Sequence, residues 1–224
     1  MPDPRPPDRP SRPPVLRPPE SREKILEVAE AGFAAKGYAG VGLREIAAAV
    51  GLGKSSLFHH FPTKLDLYGA VLEQVLTRLA LDLDLQTRPE DGPAERLERW
   101  IDAIVRRLAE DAPAARLMLR AMVDQEPYPA IRLIETDREL MPFERRLAGI
   151  LGRLGGLLEE GIAAGVFRPL GIPDAIQTVV GAVVFHFASG DLGEALIGED
   201  LFSGTAVERR RREVVEFVCR GLRA

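Results

Sequence analysis

Apolar side chains recur along this chain at helical spacing. Ile25, Ala29 and Phe33 share one face, with Leu26 and Val28 beside them, and predict a first helix. Ser21 is placed to cap its start, Glu23 suits its first turn and Gly37 is a natural stop. Leu43, Ile46, Ala47 and Val50 predict a short helix over 43–50. Gly51-Leu52-Gly53 makes a tight turn, and a second short helix follows over 54–61, with Leu57 and Phe61 inward. Pro62 interrupts the chain, and Thr63 with Asp66 forms a cap pair opening a helix over 63–86.

The same period continues to the end. Leu97, Trp100, Ile101, Ile104 and Leu108 predict a helix over 93–111, and Leu117, Met118, Ala121 and Met122 one over 113–124. A long helix is expected over 129–164, kinked at Pro142 and ended by Gly165. Ile176, Val180, Val183 and Phe187 form a stripe on a helix over 174–188. A Gly-rich loop over 189–204 then leads to a last helix over 205–222, with Val207, Val214, Val218 and Leu222 on one face. Val179–Val184 has strand-like composition, but no partner strand is visible, so it reads as helix. The fold class is therefore all-α, with about nine helices. A three-helix head over 21–68 contains a helix-turn-helix, and a C-terminal helical body fills 69–224.

Composition adds a tail and some exclusions. Nine of the eighteen prolines lie in residues 1–20, which have little to bury and read as a disordered Pro/Arg-rich segment. Its arginines suit a minor groove, as basic arms do. No run of about 18 uncharged apolar residues exists to cross a membrane, and the N-terminus lacks the apolar core of a secretory signal. The single cysteine, Cys219, can close no intrachain disulfide, so a reducing, cytoplasmic setting is expected.

Net charge is −4, but its distribution says more than its total. Residues 22–68 carry six Lys/Arg against five acids, and 69–224 carry twenty against twenty-six. All four lysines (Lys24, Lys36, Lys54, Lys64) lie in 22–68, and no acid occurs from Ile46 to Leu65. An acid-free window on an acidic chain is either a footprint for a polyanion or a consequence of core residues there. The helix-turn-helix over 43–61 favours the first. Its second helix would enter a major groove with Lys54, Ser55 and Ser56 at the leading end, followed by His59 and His60. Lysine donates to guanine or phosphate, and serine to either.

Other chemistry is weaker. "GLGKSS" resembles the end of a phosphate-binding loop, but Ala48 stands where the first glycine belongs and a helix precedes it instead of a strand. His59 and His60 lack further ligands nearby for a metal. The Arg209–Arg212 run reads as the solvated side of the last helix. No Ser/His/Asp, paired-carboxylate or cysteine-nucleophile arrangement stands out, so neither catalysis nor a cofactor or metal is expected.

The segment "GYAGVGLREIAAAVGLGKSSLFHHFPTKLDLYGAVLE" resembles the DNA-binding domain of TetR/AcrR transcriptional regulators. Gly37, Tyr38, Ile46, Ala47, Val50, Gly51, Lys54, Leu57, His60, Phe61, Lys64 and Leu67 stand at matching positions, and the likeness is dense over 21–73. Beyond that it is architectural, with "EEGIAAGVFRP" and two closing helices in the expected places. The resemblance implies a homodimeric repressor, its last two long helices pairing with their symmetry mates. A small molecule bound in the C-terminal domain would release it from a palindromic double-stranded DNA operator. It points to Arg44, Lys54, Ser55, Ser56, Phe58, His59, His60 and Lys64 for DNA, and to Trp100, Met118, Met122, Phe143 and His186 as candidates for the effector. His186 and the two methionines suit the core as well. Three positions depart from the pattern. Val41-Gly42, Gly53 and Phe58 stand where such regulators carry hydroxyl side chains, which predicts weaker phosphate anchoring and a larger share for Lys54, His59 and Lys64. The alternatives are a DNA-binding protein of this fold without an effector, and an enzyme with a helical body. An apolar cavity would count against the first; the second needs convergent titratable groups in that cavity.

Overall fold

The computed structural model of the chain describes residues 18–86, 88, 90–123 and 139–224, with side chains from Ser21 onward. Ten helices stand in this order: α1 (Pro18–Lys36), α2 (Leu43–Ala49), α3 (Lys54–His60), α4 (Lys64–Gln86), α5 (Pro93–Glu110), α6 (Ala112–Val123), α7 (Pro142–Ala163), α8 (Ile172–Ala188), α9 (Asp191–Ile197) and α10 (Gly204–Leu222). Among the described residues there is no strand, only an isolated antiparallel bridge between Phe167 and Arg223. No single helix among them is long and apolar enough to cross a membrane.

Three expectations are corrected. α1 begins at Pro18, ahead of Ser21, which lies buried inside the helix and does not cap it. Proline suits a first turn because its missing N–H has no intrahelical acceptor there. The rest of the proline-rich tail lies outside the described residues. The long helix is not kinked at Pro142 but starts there: Met141 is extended, and its amide donates to the Glu144 carboxylate at 2.8 Å. The expected helical stretch 129–138 also lies outside the described residues. Finally, 189–204 is not a plain loop. Gly190 and Gly198, both at positive φ, bracket the short α9, with Asp191 and Glu194 in its first turn. Its glycine content hid a helix of only seven residues.

The head is closed by α1 packed on α2 and by the start of α4. Phe33 and Tyr68 meet edge to face at 4.9 Å, and Tyr38 meets Tyr68 at 5.3 Å. Ile25, Phe33, Ile46, Ala47, Leu57, Phe61 and Leu67 are buried together. The Thr63–Asp66 pair caps α4: the Thr63 amide donates to Asp66 Oδ2 at 3.0 Å and the Asp66 amide to Thr63 Oγ1 at 3.1 Å. The body packs α5 centrally, against α4, α7, α8 and α10. At Gly161 a Cβ would lie 2.0 Å from the Phe167 ring, so only glycine lets α7 pass that buried side chain.

Candidate nucleic-acid interface

The α2–α3 unit is held from behind. Leu57 is fully buried and Phe61, capping α3, is nearly so. Gly51 takes φ +70 at the turn, a left-handed conformation that glycine adopts without strain. The caps of α2 and α3 are Gly42 and Gly53, both extended and without a side-chain cap bond. The absent hydroxyls are thus matched by bare backbone at both helix starts.

What this scaffold presents outward is Arg44, Lys54, Ser55, Ser56 and His59, all exposed. Phe58 and His60 are half-buried. The Lys54 ammonium lies 5.3 Å from the Phe58 ring, within cation–π range. His59 and His60 stand edge to face at 6.0 Å. Lys64 is half-buried, over the Tyr38 ring at 4.5 Å, and donates to the Ala39 carbonyl at 3.4 Å. Its charge is anchored at the α1–α2 link. Arg22, from α1, lies 5.3 Å from the Phe61 ring, a cation near the same face that the sequence reading did not single out.

A second feature lies in the body. A cavity of about 550 Å³ opens between α4, α5, α6, α7 and α8. Trp100, Met118 and Met122 line it, together with Leu79, Ile150 and Val183. Phe143 lies deeper, beside a much smaller void next to Met118, and is 1% exposed. His186 faces away, in the α8–α10 contact, edge to face with Phe187 at 4.7 Å. Burial, with Arg210 and Arg209 nearby, pushes its imidazole down to about 4. Asp174 and Gln177, on the exposed side of α8, also reach the cavity and were not anticipated. Only the stripe through Ile176, Val180 and Val183 hinted at them. Among the described residues no group of three or more His, Cys, Asp or Glu is placed to hold a metal.

Head and body meet at a part-buried ion cluster. Arg78 of α4 donates to Glu30 of α1 at 2.5 Å and to Asp111 at 2.8 Å. Asp111 in turn accepts the Ala114 amide at 3.1 Å and so caps α6. Burial raises the Glu30 carboxyl against the pull of Arg78. One guanidinium therefore joins the head's first helix to the helix that carries Met118 and Met122.

Comparison with known proteins agrees with this geometry. Residues 25–71 match the family model described as bacterial regulatory proteins, tetR family, and residues 93–218 the one described as tetracyclin repressor-like, C-terminal domain. The HTH-type transcriptional activator FasR of Mycolicibacterium smegmatis is 30% identical over 51% of this chain and 52% of its own length. The HTH-type transcriptional repressor AcnR of Corynebacterium diphtheriae is 31% identical over 53% and 58%. The chain thus matches little more than half the length of each. A tetR-family regulatory protein from Rhodococcus RHA1 superimposes with a TM-score of 0.70 at 20% identity, covering 92% of this chain and 98% of that one. AibR, solved with isovaleryl coenzyme A and operator DNA, gives 0.68 at 17% identity, covering 88% and 97%. At these identities the two structures speak for the fold.

Proposed function

The chain belongs to the tetR family of bacterial regulatory proteins, and from that premise we propose that it is a homodimeric repressor released from a palindromic operator by a small molecule. The observation that carries the DNA-binding reading is the exposed, acid-free leading end of α3. Lys54, Ser55 and Ser56 stand exposed there while Leu57 is buried, which supports contacts from them to base edges and phosphates. Arg44, His59 and Lys64 add donors or charge beside it, and Phe58 and His60 support it. Two-fold symmetry would set two such helices about 34–36 Å apart, one DNA turn. The exposed apolar residues Phe185 of α8 and Phe217 of α10 support pairing of those helices with their symmetry mates.

The cavity supports effector control over a regulator without a ligand. An occupant between α5, α6 and α8 would favour one position of α6, and the Arg78 cluster would pass that preference to α1. That AibR was solved with both a coenzyme A ester and operator DNA agrees with one chain holding both kinds of site. The relatives include an activator and a repressor. Repression is the simpler reading here, because binding at an operator blocks polymerase without any further contact.

The test is fluorescence anisotropy on the DNA upstream of the protein's own locus against a scrambled duplex, at two salt concentrations. Tighter, saturable binding to the upstream DNA is expected. Lys54→Ala should weaken it by about tenfold and flatten the salt slope by about 1. An unchanged affinity and slope for Lys54→Ala would remove α3 from the interface.

A further inference from the structure

The Arg209–Arg212 run of α10 is compensated unevenly. Arg209 pairs with Glu199, and Arg211 with Asp102 at 3.0 Å and Glu208 at 2.7 Å. Arg212 is exposed. Arg210 is half-buried and has no carboxylate partner among the described residues: its Nη2 donates to the Ala182 carbonyl of α8, and its Nε is buried unbonded. Nη1 makes no bond either but is not buried, so it stays open to a group from outside the chain. Burial draws this guanidinium below its usual value, and Glu213 opposes that only in part. Glu213 lies one turn further along α10, exposed and likewise without an ion pair among the described residues.

Arg210, Glu213 and Phe217 stand at i, i+3 and i+7, so they share one face of α10. Phe217 is 73% exposed there, and Phe185 of the adjoining α8 is 52% exposed. Such a face, with one unpaired cation, one unpaired anion and exposed rings, is complementary to itself. Across a two-fold axis residue i of one protomer meets j of its partner and j meets i, so two reciprocal pairs form at once. We propose that in the homodimer each Arg210 is met by Glu213 of the partner subunit, and that these two ion pairs fix the register of α10 against its symmetry mate. The inference rests on the homodimer reading above and names the charges that hold it. Within one chain the same two side chains have the spacing to pair but do not meet. A partly buried guanidinium without a carboxylate is costly, and a carboxylate from the second copy removes that cost.

Charge reversal separates a pair between subunits from one within a helix. The full-length protein and two variants, Arg210→Glu and Glu213→Arg, would be followed by sedimentation equilibrium, alone and mixed. Each variant alone sets like charges against each other at both crossings. It is expected to self-associate about 100-fold more weakly than the native chain, about tenfold for each pair. In an equimolar mixture one chain offers two carboxylates and the other two guanidiniums, so heterodimers of nearly native strength are expected, resolved by native mass spectrometry. Should a reversal prevent folding, Arg210→Gln, Glu213→Gln and their double variant measure the same coupling by a double-mutant cycle. Reversed chains that self-associate like the native chain and mix statistically, or neutral variants whose losses simply add, would overturn the pairing while leaving the homodimer reading intact. A native chain that stays monomeric at micromolar concentration would end the homodimer reading, and this inference with it.

Discussion

In the head, Lys54, Ser55, Ser56 and His59 stand exposed on one seven-residue helix, whereas the body's cavity gathers side chains from five helices, from Leu79 to Val184. The head keeps its polar residues outward and its aromatic residues inward, so its chemistry lies on a surface fixed by a local core. The body reverses this. Its candidate site is lined mainly by apolar side chains, and pairs such as Arg107 with Asp82, and Arg211 with Asp102 at 3.0 Å, are not part of that lining. Contact with a polyanion at a surface and binding of a small molecule in a cavity, as proposed above, call for opposite arrangements, and the two candidate sites lie at different places along the chain.

If that division holds, the largest effect on DNA binding should come from a body residue that touches neither site. Phe217→Glu buries charge in the expected α10 pairing face, and sedimentation should show monomers. Operator affinity should fall by about 100-fold or more, because each half-site is then bound alone. A dimeric variant with normal affinity would break the comparison by removing α10 from the interface. The next effect tests the joint. Arg78→Met leaves Glu30 and Asp111 without their cation and should lower stability by about 2–3 kcal/mol, read by thermal unfolding. At a temperature where it is folded, effector-induced release should be lost while DNA binding persists.

A smaller effect sets the body's pH response. His186 is held neutral down to about pH 4 when folded, facing Arg210 and Arg209, but protonates near 6.5 when unfolded. Its contribution to stability is therefore present above pH 6.5 and lost as pH falls toward 4. His186→Gln should flatten that part of the stability curve, and a curve of unchanged slope would mean that the imidazole is not buried. The smallest effect sharpens the head. Gly53→Ser restores a capping hydroxyl at the start of α3, and should add a few tenths of a kcal/mol to stability and a modest gain in DNA affinity.

The same contrast explains what the sequence disclosed. The head was legible because its signals are local: the spacing of Ile46, Ala47 and Val50, the Gly51 turn, the Thr63–Asp66 cap and the acid-free window each need only a few neighbouring residues. The helix period of the body was equally plain, including the helical reading of the Val179–Val184 run. Its details were not. The start of α7 at Pro142 depended on the Glu144 carboxylate returning to the Met141 amide, and α9 was too short to show a period against its glycines. The cavity was the least legible feature, because five helices converge on it. Phe143 and His186 have the right chemistry for a ligand, yet neither lines the larger cavity, Phe143 lining the small void beside Met118; Gln177 and Asp174 line the cavity and look like ordinary surface residues. Chemistry can be read from residue type, but convergence requires the packing.

The central claim is that α3 of a symmetric dimer reads a specific DNA sequence. The most direct test is selection of bound duplexes from a random library by the purified protein, with the Lys54→Ala, Ser55→Ala double variant run in parallel. A palindrome with half-sites about one helical turn apart is predicted for the native chain, and its loss or relaxation for the variant. Enrichment of no sequence by the native chain, or of the same palindrome with equal strength by the variant, would contradict the account.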